Sequence, residues 1–262
     1  MSGDITMTQK RNAELVNNLR PDFFARYEPN ASMVHAGLHM QLPQLRGYWP
    51  FSSVDERGDL TDMSGQGRVL HNTNTVAFGV YNLFPYADYV PANSEYFTRL
   101  DEEGTSITGA LTIGGWFWLD TLASGANQVL IGKFNTVGNM RAYQLYMVDA
   151  SNRFAFIISG DGAATTAVTH VPVAVISTWY HIVGRFVPGA ELSIFVDGVE
   201  TLEWALIPAA IYDSTAAFTI GARDPGIEYL DGRSAQCFLC ADDLDDVIIK
   251  TIFEQTRANY GK

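Results

Sequence analysis

Short apolar runs, separated by clusters of glycine, proline, asparagine, aspartate and serine, follow one another along most of the chain. β-Branched and aromatic residues dominate these runs and often alternate with polar residues, which is the period of a half-buried strand. Such runs occupy residues 47–51, 111–119, 128–133, 142–148, 153–159, 167–172, 179–187, 191–197 and 217–220. Because no helical segments alternate with them, a doubly wound α/β fold is disfavoured and the pattern predicts an all-β domain.

The clearest pair of strands lies between residues 178 and 199. A strand that contains Trp179 and His181 is followed by Pro188-Gly189, by a second alternating strand, and by Asp197-Gly198. Pro-Gly interrupts a strand, and Asp-Gly tolerates the positive φ of a tight turn. The segment is therefore predicted to form a β-hairpin with a further tight turn at its end.

The N-terminal segment departs from this pattern. Residues 6–20 carry apolar residues at helical spacing and end at a proline, which predicts a short amphipathic helix. Residues 21–46 are apolar but have no clear period. We therefore predict an N-terminal arm over residues 1–46 that packs either on its own domain or on a neighbouring subunit. The arm residues with candidate roles in assembly are Leu15, Leu19, Phe23, Phe24 and Tyr27.

A second helix is predicted near the C-terminal end of the sequence. Acidic residues gather over residues 242–246, where they complement the positive end of a helix dipole. The apolar residues expected on one face of this helix are Leu244, Val247, Ile248 and Ile252. The predicted organisation is the arm followed by one β domain over residues 47–262.

Several short motifs follow one another at the spacing of a known family. An aromatic segment at 48–51 precedes a D-x-S-G-x-G loop at 62–67, and Ser-Glu-Tyr-Phe-Thr follows at 94–98. The Trp-x-His and Val-Asp-Gly motifs of the predicted hairpin come next. Together, residues 47–260 resemble the laminin-G-like (concanavalin A-like jelly-roll) family. The resemblance implies a two-sheet antiparallel β-sandwich that acts as a binding module, with His181 and Asp197 serving the hairpin and not a site.

The same resemblance raises the question of calcium, because many related sandwiches hold Ca²⁺ with carboxylates at a rim loop. Asp62 and Asp231 are the main candidates for metal ligands in this sequence. Other aspartates in predicted loops are Asp55, Asp59, Asp224, Asp242 and Asp243. The sequence after Asp231 departs from the family pattern, so we expect no required cofactor and treat calcium as an open alternative.

Composition sets limits on partners. Hydrophobic residues make up 47% of the 262 residues and charged residues 18%, which predicts one large core. The net charge of −12, without any basic run, disfavours nucleic acid and anionic membrane surfaces as partners. No apolar signal segment begins the sequence and no apolar run reaches bilayer length. We expect a cytoplasmic protein, or one that leaves the cell by assembly, lysis or another route without a signal peptide.

The motifs of catalysis and soft-metal binding are absent from the sequence. Cys237 and Cys240 have no nearby paired histidines, so they are predicted to be free, reduced cysteines. No E-x-D-x-E triplet and no G-x-S-x-G elbow occurs. Glu228 and Asp231 are three positions apart, which places them on opposite faces of an extended strand. The protein is therefore predicted not to be an enzyme.

Glycan binding would use exposed aromatic rings for stacking, and several aromatic residues lie in or near predicted loops. These residues are Tyr81, Tyr86, Tyr89, Trp204, Tyr212 and Tyr229. For each of them, packing at the rim of the sandwich is an equally good interpretation. The sequence alone does not decide between the two.

Three functional hypotheses follow. The first is a non-catalytic structural or adhesion protein, carried on a virion as capsid decoration or as part of a tail or fibre, by analogy with stand-alone jelly rolls. Its partners would be other virion or surface proteins bound through the arm, surface glycans, or further copies of the chain. The second is a carbohydrate-binding lectin module. The third, a glycan hydrolase or lyase, would depend on Glu228 or Asp231.

Overall fold

The computed structural model describes residues 42–122 and 125–262. The predicted helix over residues 6–20 and the arm residues Leu15, Leu19, Phe23, Phe24 and Tyr27 lie outside the described residues. The first eight strands are β1 Leu45–Trp49, β2 His71–Thr73, β3 Ala77–Tyr81, β4 Phe84–Tyr89, β5 Tyr96–Arg99, β6 Leu111–Leu119, β7 Gln128–Asn135 and β8 Met140–Val148. The others are β9 Arg153–Ile158, β10 Thr166–Thr169, β11 Trp179–Val187, β12 Glu191–Val196, β13 Val199–Glu203, β14 Phe218–Ile220 and β15 Gly232–Cys240.

The strands form two antiparallel sheets that face each other. The first sheet has the order β13-β12-β11-β6-β15-β4-β3, and β1 pairs with the second half of β15. The second sheet has the order β10-β9-β8-β7-β14-β5-β2. This confirms the predicted two-sheet antiparallel β-sandwich. Strand β1 begins at Leu45, two residues before the predicted start of the domain, and Leu42 is buried. The division of the chain into an arm over residues 1–46 and a domain over residues 47–262 stays a prediction.

The hairpin predicted from the sequence is present. Strands β11 and β12 pair from Ile182–Val196 to Val187–Glu191, and Gly189 has a φ of 67° in the turn between them. Asp197 and Gly198 both have positive φ, at 50° and 76°, in the two-residue turn to β13. The Asp197 carboxylate accepts a hydrogen bond from the His181 backbone N–H at 2.9 Å. These contacts agree with a structural role for both residues.

Strand β6 shows how one apolar run serves two separate layers of packing. Its odd-numbered residues, such as Ile113 and Phe117, point between the sheets into the main core. Its even-numbered residues, Trp116 and Trp118, lie on the outer face of the first sheet. An apolar run without alternation is thus explained by burial of the strand on both sides, except at Trp118, which is only partly buried.

The C-terminal helix covers much of that outer face. Helix α1 spans Asp246–Thr256 and continues as a short 3-10 helix, Arg257–Tyr260. Asp245 caps it, accepting a hydrogen bond from the Val247 N–H at 2.8 Å. The face predicted for this helix is partly wrong, because Val247 is exposed. The residues of α1 that are buried are Ile249, Thr251, Ile252, Phe253 and Thr256.

Both cysteines lie in β15 and are free and buried. Burial raises the pKa of each thiol well above its ordinary value, so neither is a thiolate at neutral pH. Within residues 42–122 and 125–262, no helix has both the length and the apolar character needed to cross a bilayer.

Candidate functional site

The end of the outer face that α1 leaves uncovered carries a group of aromatic and charged side chains. Tyr81, Tyr86, Asp88, Trp118 and Arg233 form this group, which we call the aromatic patch; all five are partly exposed. They come from β3, β4, β6 and β15, which are separated in sequence by up to 150 residues. Long-range strand pairing therefore creates the patch.

Register brings the patch together around Arg233. This residue lies opposite Trp118 of β6 on one side and opposite Asp88 of β4 on the other. Residues directly opposite in an antiparallel pair point to the same face, as do residues two apart along one strand. Tyr86 therefore shares the face of Asp88, and Tyr81 reaches it through the pairing of β3 with β4.

The Arg233 guanidinium lies between two aromatic rings. Its Cζ atom is 5.0 Å from the ring centroid of Tyr86 and 4.9 Å from that of Trp118. Its Nε is 3.4 Å from Asp88 Oδ1. Burial raises the pKa of Asp88 above that of an ordinary aspartate, although the Arg233 charge acts in the opposite direction. The guanidinium thus has Asp88 as its carboxylate partner, and the side chain remains partly exposed.

A layer of buried rings supports the patch from below. Trp179 is fully buried, and its ring centroid lies 6.0 Å from that of Tyr81, 5.9 Å from that of Tyr86 and 5.8 Å from that of Trp118. The Tyr86 ring also lies across Gly79, where an added Cβ would come within 2.4 Å of the ring. These contacts fix the orientation of the exposed rings.

A loop beside the patch is held by hydrogen bonds. Trp118 Nε1 donates to Asp120 Oδ1 at 2.8 Å, and Thr121 Oγ1 donates to Asp231 Oδ2 at 2.7 Å. The Gln128 side chain donates to the Thr121 carbonyl and accepts from the Asp231 N–H. Asp231, a predicted metal ligand, here ties the loop after β6 to the start of β15.

The second predicted metal ligand, Asp62, also organises a loop. Its Oδ1 accepts from the Tyr48 and Ser64 N–H groups at 3.0 and 2.8 Å. Its Oδ2 accepts from Ser64 Oγ and the Arg68 N–H at 2.8 and 2.9 Å. The carboxylate is buried and both oxygens are occupied by internal donors, which accounts for the D-x-S-G loop without a metal. In the part of the chain that the structure describes, no three His, Cys, Asp or Glu side chains are grouped as for a metal ion.

The predicted aromatic residues fall into different environments. Tyr81 and Tyr86 meet in the aromatic patch. Tyr89 is a correction, because it is 1% exposed in the core and its hydroxyl shares a hydrogen bond with Ser234 Oγ at 2.7 Å, so its ring is not open to a ligand. Trp204 is 72% exposed just after β13, at the opposite edge of the sheet.

The other two tyrosines lie on loops away from the patch. Tyr212 is 38% exposed and packs beside Gly162. Tyr229 packs against Tyr96, with ring centroids 6.1 Å apart, and donates a hydrogen bond to the Gly226 carbonyl. The structure therefore brings together two of the six predicted aromatic residues.

Sequence reasoning missed Trp118, Arg233 and Asp88. Trp118 belongs to an apolar run that indicated burial on both faces, and Asp88 and Arg233 are single charges without a local motif. One signal was available, because Trp116 and Trp118 are two positions apart in a strand and therefore share a face. The pairing of Arg233 with Trp118 has no counterpart in local sequence.

The arrangement suits a ligand with one apolar face and several hydroxyl groups. Exposed ring surface lies beside a guanidinium donor and carboxylate acceptors, and buried aromatic residues hold these groups in place. Two carboxylates near the patch, Asp88 and Asp120, already interact with Arg233 and Trp118.

Comparisons with known proteins agree with this architecture. A laminin-G-type family model, described as "Concanavalin A-like lectin/glucanases superfamily", matches residues 91–237, which is more than half of the chain. The match contains Trp118 and Arg233, and it covers the central part of the segment 47–260 that the motifs indicated.

Solved structures with a similar fold include the binding domain of Paraclostridial Mosquitocidal Protein 1, with a TM-score of 0.65 and 12% identity over 80% of this chain and 52% of that one. The binding domain of botulinum neurotoxin DC in complex with SialylT has a TM-score of 0.60 and 14% identity, and the match covers 82% of this chain and 52% of that one. The same neurotoxin domain in complex with rat synaptotagmin II has a TM-score of 0.59 and 14% identity, and the match covers 80% of this chain and 51% of that one.

This chain therefore spans about half the length of each of these structures. At such low identities the likeness concerns the fold alone, whereas the family model covers more than half of the chain itself. The chain belongs to the concanavalin A-like lectin/glucanases superfamily.

Proposed function

We propose that the protein is a non-catalytic carbohydrate-binding module and that the aromatic patch is its glycan site. The observation that carries this proposal is the position of Arg233, held between the rings of Tyr86 and Trp118 on the open end of an otherwise covered sheet face. A ring-lined surface with a few fixed polar groups is a common form of small-ligand site.

The chemistry of a sugar fits these groups. One face of a pyranose ring carries C–H groups that stack on an aromatic ring, and its edge carries hydroxyls that donate and accept hydrogen bonds. Trp118 and Tyr86 supply the ring surface. Arg233 donates, and the carboxylates of Asp88 and Asp120 accept.

The similar structures support the class of ligand. The binding domain of botulinum neurotoxin DC forms complexes with SialylT and with rat synaptotagmin II, and cell entry of botulinum neurotoxin type C depends on interaction with two ganglioside molecules. Glycans, and protein receptors as the alternative, are therefore reasonable ligands to test for this chain.

A catalytic role is not supported by the acids available for it. Glu228 forms an ion pair with Arg223 at 3.2 Å, and Asp231 is engaged by Thr121. Burial raises the pKa of Glu228, against the effect of Arg223, but this carboxyl has its cation as a fixed partner. We expect no release of reducing ends from any glycan that binds, and turnover lost on Glu228→Gln would contradict this.

A glycan array with the full chain, followed by titration of the best glycan, tests the proposal. Trp118→Ala and Arg233→Gln are each expected to weaken binding at least 10-fold, because they remove the stacking surface and the central donor. Trp204→Ala and Arg57→Gln are matched controls, since both side chains are exposed away from the patch. Far-ultraviolet circular dichroism and thermal unfolding check that each variant is folded.

Two results would overturn the glycan site. One is the absence of saturable binding to any glycan on the array. The other is binding that Trp118→Ala and Arg233→Gln leave unchanged while Trp204→Ala reduces it, which would move the site to the opposite edge of the sheet.

We further propose that the module serves adhesion as a virion component, with residues 1–46 attaching it to other virion proteins. The support is the aperiodic apolar composition of residues 21–46 and the analogy with stand-alone sandwiches. Quantitative mass spectrometry of purified particles from the source system is expected to find the chain at high copy number. Recovery of the chain only in the free soluble fraction would contradict this role.

A further inference from the structure

A cavity of about 490 Å³ lies at the end of β6 and β15 that is opposite the aromatic patch. It is bordered by Ala110, directly before β6, and by Ala241, directly after β15. Each of these strands has nine residues, so the cavity and the patch are roughly 25 Å apart at about 3.3 Å per residue. We call it the arginine cavity, because Arg46 and Arg68 are part of its lining.

The Arg68 guanidinium is fixed on two sides. Its Nε is 3.0 Å from Glu102 Oε1, and its Nη1 donates to the Arg46 carbonyl at 2.6 Å. Its Nη2 packs against Gly104, where an added Cβ would come within 1.9 Å of that nitrogen. Nη2 has no hydrogen-bond or ion-pair partner within the described ranges. One nitrogen of an otherwise fixed guanidinium is therefore without an internal partner, in a side chain that belongs to the cavity lining.

Arg46 contributes a second guanidinium. Its side chain makes no hydrogen bond or ion pair with any residue that the structure describes, although the chain has 29 acidic residues and 17 basic ones. The hydroxyl-bearing residues Ser106 and Thr108 lie in the same lining, and Ile107 is its buried apolar member.

The charge at the cavity selects the kind of ligand. Arg99 Nη2 lies 2.6 Å from Glu102 Oε2, and this hydrogen bond, with the nearby Arg68, keeps the pKa of Glu102 below its ordinary value. Glu102 and Arg99 thus neutralise each other. Glu103 in the lining offsets one of the two cavity arginines, so that one positive charge remains.

We propose that the arginine cavity binds a singly charged carboxylate, either of a free organic acid or of an acidic sugar. A guanidinium edge matches the two oxygens of a carboxylate, and small residues around the opening leave room for a sugar-sized group. A doubly charged phosphate would meet Glu103 with only one net positive charge to balance it. This site is separate from the proposed glycan site and does not depend on it.

Isothermal titration of the full chain at low ionic strength tests the proposal with glucuronate, acetate, phosphate and neutral glucose as probes. We expect saturable binding of glucuronate, weaker binding of phosphate and none of glucose. Acetate that binds as well as glucuronate identifies a general carboxylate site, whereas glucuronate alone identifies an acidic-sugar site. Arg46→Gln is expected to weaken the binding of glucuronate at least 5-fold, and added salt is expected to weaken that binding further.

The controls separate this cavity from the aromatic patch. Arg57→Gln removes another exposed arginine and should leave glucuronate binding unchanged, as should Trp118→Ala. Arg68→Gln is expected to abolish binding, but Arg46→Gln is the primary variant because Arg68 also holds Glu102 and the Arg46 carbonyl. The proposal would be overturned if neither glucuronate nor acetate binds, if Arg46→Gln binds them as well as the wild type does, or if Trp118→Ala abolishes binding while Arg46→Gln leaves it unchanged.

Discussion

Replacing Trp116 with alanine is expected to destabilise the protein by about 3–5 kcal/mol, the range for removing a fully buried tryptophan. Trp116 has no exposed surface and stacks on Tyr260 with ring centroids 4.3 Å apart. Its ring also lies 6.0 Å from Phe253 and 5.2 Å from His181, and its Nε1 donates to Thr256 Oγ1 at 3.1 Å. One side chain thus joins the C-terminal helix to the outer face of the first sheet.

Urea unfolding followed by circular dichroism measures this loss, with Trp204→Ala as the matched control. Trp204 is 72% exposed, so its removal should change the free energy of unfolding by less than about 1 kcal/mol. Hydrogen exchange should also show faster exchange of the α1 amides in Trp116→Ala than in the control. A loss below about 1 kcal/mol, with α1 still protected, would show that the helix docks without this residue.

The strands of the interior were predictable because periodicity and burial act locally on them. Strands β6 and β11 begin and end at the predicted residues, and the β11–β12 hairpin has its positive-φ turn at Asp197-Gly198. Strands β3 and β13 carried no such signal. Both lie at the edge of the first sheet, where one side of the strand is exposed and the composition is mixed.

The candidate site was less predictable, because its geometry depends on register. A pattern of local residues shows that β6 and β15 are strands, but not that Arg233 will lie opposite Trp118. Tyr86 and Tyr89 illustrate the limit, since they are on the same strand, and the odd offset between them places Tyr86 on the patch and Tyr89 in the core. The register of a strand with its neighbouring strands determines which of its side chains face solvent.

The helix face was mispredicted for a similar reason. Val247 and Ile249 are both apolar, but at about 100° per residue they lie on opposite sides of the helix, so the sheet can bury only one of them. Leu244, which the prediction counted in the apolar face, precedes the Asp245 cap, and the helix packs Ile249, Ile252, Phe253 and Thr256 against the sheet. Because aspartates occupy positions 242, 243, 245 and 246, the sequence alone did not show which of them caps the helix.

Replacing Arg185 with methionine is expected to lower the free energy of unfolding by about 2–3 kcal/mol at neutral pH, toward the lower end for breaking a buried ion pair. Arg185 is 8% exposed on the outer face. Its guanidinium nitrogens lie 2.5 Å from Glu191, 2.9 Å from Glu200 and 2.5 Å from Asp246. The substitution leaves three clustered carboxylates without their common cation, and these are partly exposed, which limits the loss.

The loss should depend on pH with a defined sign. Burial alone would raise the pKa of Asp246, but the hydrogen bond from Arg185 holds it below its ordinary value. In the wild type this pair therefore stabilises the fold above the unfolded aspartate pKa near 3.9, and the effect is lost as pH falls through the folded pKa. Burial and the Asp246 charge raise the pKa of Glu200, so ionising Glu200 costs stability as pH rises.

Without Arg185, Asp246 loses the contact that most lowers its pKa and Glu200 loses the cation that opposes its raised pKa, so the folded variant should bind protons more tightly. The deficit relative to wild type is therefore expected to be largest near pH 7.5 and to shrink near pH 4.5. Urea unfolding at both pH values measures it. Arg257→Met is the control, because its ion pair with Glu254 is exposed and should contribute less than about 1 kcal/mol at either pH. An Arg185→Met deficit that stays constant across this range would mean that packing against Phe195, 5.1 Å from the guanidinium, dominates over charge.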